Sequence, residues 1–171
     1  SWQAATVAAD PSVARARFNL AQTLHGQGRF AAAEAEYREA LRLAPDFAAW
    51  RTAFAIALLR LGRTEEAVAQ LRASLGRDPG DPAAHYFLGI AHWRSGRGAR
   101  ALAEFEAALR LDPSDPAAAE ARRFAAASLR RARRGAAAPA AYLDSPQACS
   151  AAAWEQSRLM LSMPCSAGPG R

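Results

Sequence analysis

Two stretches carry the glycine spacing of a dinucleotide-binding turn. Gly26-Gln27-Gly28-Arg29-Phe30-Ala31 and Gly96-Arg97-Gly98-Ala99-Arg100-Ala101 both read Gly-x-Gly-x-x-Ala. Such a turn cradles a pyrophosphate only where a strand leads into it and a helix leaves it. An amphipathic run at helical spacing precedes each of these, so a turn between helices explains the glycines. His85 and His92 stand seven apart and His25 is remote. A helical zinc pair usually stands four apart with further ligands nearby, so packing histidines are expected. Cys149 and Cys165 enclose 15 residues without a Cys-x-x-Cys, which indicates neither a redox motif nor a zinc knuckle. Oxidised, they would close a hairpin-sized loop; a free reduced pair is equally compatible. No nucleophile–base constellation and no paired carboxylates stand out. The sequence therefore assigns no catalytic residue, no metal ligand and no cofactor, and an enzyme is not expected.

Composition narrows the elements that could carry any function. The 171 residues hold 22 Arg, no Lys and 16 acids, a formal net charge of +6, and 47 positions are Ala. Ala and Arg favour helix, and the scarcity of Val, Ile and Thr disfavours a sheet-rich fold. This usage suggests a GC-rich, bacterial coding genome. No uncharged apolar run reaches the ~18 residues of a membrane span. Residues 1–15 lack the basic and apolar regions of a secretory signal, which favours a cytoplasmic setting. Two Cys exclude a disulfide scaffold.

The organising signal is a repeat. Asp10-Pro11, Ala44-Pro45, Asp78-Pro79 and Asp112-Pro113 are 34 residues apart, and Gly28, Gly62 and Gly96 keep the same period. So do the small columns Ala21/Ala55/Gly89 and Ala33/Ala67/Ala101, and the large columns Leu20/Phe54/Leu88 and Tyr37/Leu71/Phe105. Each unit reads as two amphipathic helices. A glycine suited to the left-handed conformation separates them, and Pro closes the second. Small columns let helix backbones approach, and large columns fill the space beside them. A two-helix unit cannot bury its apolar stripe alone, so the units must stack. The expected divisions are units 14–47, 48–81 and 82–115. Residues 1–13 read as the tail of a preceding helix or incomplete repeat, as in a piece of a longer protein. Residues 116–134 read as an Arg-rich capping helix, and 135–171 as an Ala/Pro linker with a further helix from Pro146. That last helix would carry Cys149, Trp154, Leu159, Met160 and Leu161 before a flexible end.

These features resemble the tetratricopeptide repeat family over residues 14–115. The resemblance rests on the 34-residue period, the small columns, the inter-helix glycine and the closing pattern Ala40-Leu41-Arg42-Leu43-Ala44-Pro45, repeated as Ala108-Leu109-Arg110-Leu111-Asp112-Pro113. The chain departs from the family where it usually has Trp, at Arg17, Arg51 and His85, and again at Ser74 and Gly76. The resemblance implies an all-α, right-handed superhelical solenoid of antiparallel helix pairs, about three units plus a cap. It also implies a concave face lined by the first helix of each unit. Carried over, that row is Phe18, Gln22 and His25; Thr52, Ile56, Leu59 and Arg60; Tyr86, Ile90, Trp93 and Arg94; then Glu120 and Phe124 on the cap. Some members grip a terminal carboxylate with Lys and Asn, but those places hold Phe18, Gln22, Ala53, Ala83 and Phe87, so that clamp is not expected.

The expected function is a protein–protein interaction scaffold that takes an apolar peptide or amphipathic helix in its groove, with Tyr86 and Trp93 as anchors. Its own residues 146–162 are the alternative occupant, through self-packing or self-association. The alternative function is the substrate-recognition arm of a larger enzyme such as a glycosyltransferase or sulfotransferase. The Arg residues at 122–134 could meet nucleic acid or anionic lipid, but no aromatics interleave with them for stacking. A solvated cap predicts the same residues, so neither is an expected partner. The charge is local: residues 1–115 balance at +1 and residues 116–134 at +5.

Overall fold

The computed structural model describes residues 11–134. It contains seven α-helices: α1 (Pro11–Gly26), α2 (Phe30–Leu43), α3 (Ala48–Arg60), α4 (Thr64–Arg77), α5 (Pro82–Arg94), α6 (Gly98–Leu111) and α7 (Pro116–Arg133). No strand occurs among the described residues. Each helix packs chiefly on its neighbours in sequence, α1 on α2, α3 on α4 and α5 on α6, with α7 closing on α6. The result is the all-α solenoid of stacked helix pairs. Helix α1 begins at Pro11, so residues 11–13, expected in a preceding tail, belong to the first pair. Residues 1–10, and the helix and cysteines expected beyond 134, lie outside the described residues.

The turns inside the pairs are built alike three times. Gly28, Gly62 and Gly96 have φ of 74°, 77° and 70°. Their N–H groups donate to the carbonyls of His25, Leu59 and Trp93 at 2.9, 3.2 and 2.9 Å. The next N–H groups, of Arg29, Arg63 and Arg97, reach back to Leu24, Leu58 and His92 at 2.9, 2.9 and 2.8 Å. Together these bonds close a helix end with a left-handed residue at the first non-helical position. The two Gly-x-Gly stretches are therefore repeat turns entered from a helix, which removes the dinucleotide reading. The turns between pairs use other chemistry. Asp81 caps α5 by accepting from Ala83 N–H at 2.9 Å, and Asp115 caps α7 by accepting from Ala117 N–H at 2.8 Å. Pro82 and Pro116 follow at positions where a missing N–H costs nothing.

The core runs the length of the stack. Tyr37, Leu71 and Phe105 are fully buried, as are Ala33, Ala67 and Ala101 one turn before them on the same faces of α2, α4 and α6. The small residue Gly89 has a specific reason: a Cβ there would stand 2.5 Å from Phe105 Cε1 and 2.7 Å from Cδ1. Glycines elsewhere differ in kind. A Cβ at Gly62 or Gly76 meets nothing within 4 Å, but only Gly62 has a positive φ. Gly62→Ala is therefore expected to cost about 1–2 kcal/mol from backbone strain alone. Gly76→Ala, inside α4, is expected to gain about 0.5 kcal/mol. Urea unfolding of the two variants checks the opposite signs.

Candidate functional site

The first-helix row divides into two sets. Phe18, His25, Thr52, Ile56, Leu59, Tyr86 and Ile90 are buried, whereas Gln22, Arg60, Trp93 and Arg94 are partly exposed. Helices α3 and α5 explain the first set, because apolar residues cover most of their circumference and such a helix is buried on most sides. Phe18 stacks on Trp50 with centroids 4.7 Å apart and planes 9° from parallel, and lies 5.7 Å from Tyr37. Tyr86, expected as a surface anchor, is 2 % exposed, edge-on to Phe87 at 5.0 Å and 5.8 Å from Phe105. Truncating it would open the core, so it cannot serve as a clean probe of binding. Trp93 packs edge-on against Phe124 of α7 at 5.4 Å, tying the third pair to the cap.

The basic members of the row are engaged with the fold. Arg60 lies over the Phe30 ring at 5.1 Å, a cation–π contact. Arg94 Nη1 donates to the Leu59 carbonyl at 2.8 Å across the α3–α5 junction. His25 sits below this layer, its Nδ1 3.4 Å from Tyr37 Oη and its ring edge-on to Phe30. Burial, and the charge of Arg60 after it, push its pKa down to about 4. Burial likewise lowers that of His92 and raises the Tyr37 phenol.

Two polar arrangements were not anticipated, and both fall where the chain departs from the repeat pattern. Thr52 Oγ1 donates to Asp81 Oδ2 at 3.1 Å and lies 2.9 Å from Ser74 Oγ, which reaches the Ala48 carbonyl at 2.8 Å. Ser74 thus replaces a packing Ala with a buried hydroxyl that joins α3, α4 and the cap of α5. The second arrangement replaces the usual Trp. Arg17 Nη1 donates to Glu36 at 2.9 Å, Arg51 Nη1 to Gln70 at 3.2 Å, and His85 Nδ1 lies 2.7 Å from Glu104 Oε2. All three pairs span 19 residues and repeat every 34, a signal that was present in the sequence. His85 therefore makes polar contacts at a partly buried position, its side chain 19 % exposed, while His92 packs inside at 2 % exposure. Among the described residues no group of three His, Cys, Asp or Glu could hold a metal ion, and no helix is long and apolar enough to cross a membrane.

Stacked helix pairs, left-handed glycine turns in register and a continuous layer of first helices define an α-solenoid repeat protein. The chain belongs to the tetratricopeptide repeat family, whose model matches residues 2–46 and 52–116. Solved structures agree in fold. The first such domain of Spaghetti (RPAP3), bound to the HSP90 peptide SRMEEVD, is 19 % identical with a TM-score of 0.70, over 72 % of this chain and 98 % of that one. The corresponding domain of Arabidopsis OM64 is 22 % identical with a TM-score of 0.66, over 67 % and 94 %. A mutant O-GlcNAc transferase of Thermobaculum terrenum is 25 % identical with a TM-score of 0.63, over 67 % of this chain but 22 % of that enzyme. No curated protein matches the sequence.

Proposed function

We propose that this chain is a non-catalytic interaction scaffold that takes a peptide or helical segment of a protein partner along its first-helix face. Family membership over most of the described length carries this reading, since stacked repeats offer a largely preformed concave surface. Gln22, Arg60, Trp93 and Arg94 are the row members with exposed surface, so they make the first contacts. Trp93 supplies the apolar anchor and the two Arg suit acidic flanks on an apolar or amphipathic segment. The chain's own residues 146–162 are the competing occupant, folded back or offered to a second copy.

The test is hydrogen exchange on the full chain with a partner captured from the source cell. Protection concentrated in α1, α3 and α5 supports the reading. Gln22→Glu with Arg60→Glu should then weaken capture at least tenfold with helicity unchanged. Protection confined to α2, α4 and α6, or undiminished capture by the folded variant, argues against it. The second reading, a substrate-recognition arm of a glycosyltransferase-like enzyme, is favoured by one observation: the solenoid matches part of the O-GlcNAc transferase. A catalytic domain encoded beside these residues would favour that reading.

A further inference from the structure

Helix α7 carries the least balanced charge in the molecule. The helix and its C-cap hold six Arg and one acid, Glu120, and Arg122, Arg123, Arg130, Arg131, Arg133 and the capping Arg134 are all exposed. In the repeats many Arg meet acids: Arg17 pairs with Glu36, Arg38 with Glu34, Arg42 with Glu39, Arg63 with Glu66 and Arg97 with Glu65. Arg15, Arg29, Arg72, Arg100 and Arg110 have no acid partner among the described residues, but they are spread over α1, the turn after it, α4 and α6 rather than gathered on one helix. Among the described residues none of the six side chains on α7 and its C-cap has an ion pair or a hydrogen-bonding partner. Four of them sit in the last turns, where the helix dipole favours cations. Arg122 and Arg123 lie two turns earlier, beyond the reach of that effect.

The repeat register makes the placement specific. Arg122 stands in the column of Leu20, Phe54 and Leu88, and Arg123 in that of Ala21, Ala55 and Gly89. In the second and third pairs those columns are buried. On α7 the same face is charged and refuses another helix. At 3.6 residues per turn the six Arg spread over about half the circumference, and at 1.5 Å per residue they span roughly 18 Å. The opposite arc, Ala117, Ala118, Ala121, Ala125 and Ser128, is buried. Between the Arg the outward positions include Ala119, Ala126 and Ala127, all partly exposed. The surface is thus convex, cationic and free of bulky apolar groups.

We propose that this face of α7 binds the phosphate backbone of a nucleic-acid duplex, without sequence preference. A planar membrane reaches only a narrow strip of such a helix, and nothing here inserts into lipid as an interfacial helix requires. An extended acidic peptide also lies along one strip. A duplex groove has two phosphate walls and is about 12 Å wide in the major groove of B-DNA, enough to admit a helix. Charges over half a circumference meet both walls, and the Ala positions let the helix approach. Aromatic stacking, the means of gripping single strands, is not used. The site is separate from the first-helix face, so either can fail alone.

The test is fluorescence anisotropy of the full chain with a mixed-sequence 20-base-pair duplex DNA. With about four phosphates neutralised, affinity should fall on the order of a hundredfold between 50 and 200 mM salt. Arg123→Gln/Arg130→Gln/Arg134→Gln should flatten the logarithmic salt slope by about three. Arg15→Gln/Arg29→Gln/Arg72→Gln removes the same charge from exposed, unpaired positions of the repeats and should change it by less than one. Circular dichroism confirms that each variant keeps its helices. Absent binding at 50 mM salt overturns the proposal, as does equal loss in both variants. Polyglutamate or phosphatidylserine vesicles binding as tightly as the duplex, through the same three Arg, would give the face to an acidic protein or a membrane instead.

Discussion

Phe105→Ala is expected to destabilise the protein by about 3–5 kcal/mol, the range for emptying a fully buried aromatic site. The ring is 0 % exposed and fills the space between α5 and α6, against Tyr86 and directly under Gly89. Such a loss approaches the whole stability of an ordinary domain, so the variant should melt far below the parent. A finer experiment isolates the cause. Gly89→Ala alone should cost about 1–3 kcal/mol through overpacking, although Ala is otherwise the better helix former by ~1 kcal/mol. The second pair holds Ala55 and Leu71 in the same two columns, both buried. Gly89→Ala with Phe105→Leu copies that combination and should recover most of the cost of Gly89→Ala. A double-mutant cycle by urea unfolding measures the coupling. Additive effects would show that Gly89 is not there for the Phe105 ring.

The second large effect is on acid stability. The ordinary His pKa of ~6.5 holds for the unfolded chain, whereas burial lowers that of His25 in the fold to about 4. Between these values the unfolded chain binds more protons, so stability rises with pH there. The contribution is fully present above about pH 6.5 and is lost as pH falls toward 4. At 1.36 kcal/mol per unit it is on the order of 3 kcal/mol. His92 shifts in the same direction and adds to the loss. The exposed carboxylates of Glu39, Glu65 and Glu66, lowered by bonds to Arg42, Ser95 and Arg63 respectively, act only at lower pH. His25→Leu places in the first pair the residue that the second pair has at Leu59, also buried. Unfolding free energies from pH 4 to 8 should show a slope that flattens in this variant. An unchanged slope would mean that His25 is not the group being charged.

The comparison of Gly89 with Gly62 shows how far the sequence reaches. The 34-residue period sets the number of helices, their ends and the left-handed turns, because each is a local property: a Gly at a helix end, a Pro after it, apolar residues every third or fourth position. The capping helix was equally legible, since its charge pattern leaves one apolar arc and no partner for the other. Even the ladder from Arg17 to Glu36, Arg51 to Gln70 and His85 to Glu104 could be read, because its 19-residue span is as regular as the repeat.

The fate of the first-helix row could not be read this way. Column position places Thr52, Tyr86 and Trp93 alike, yet Thr52 turns to Ser74 and Asp81, Tyr86 packs on Phe105, and Trp93 alone keeps exposed surface. The sequence by itself determined the family, the stack and the location of the charge, since those depend on residue type and spacing. Tertiary structure decided which side chains of the row keep a surface to offer and which Arg lack acids. Both depend on what neighbouring helices bring within a few ångströms.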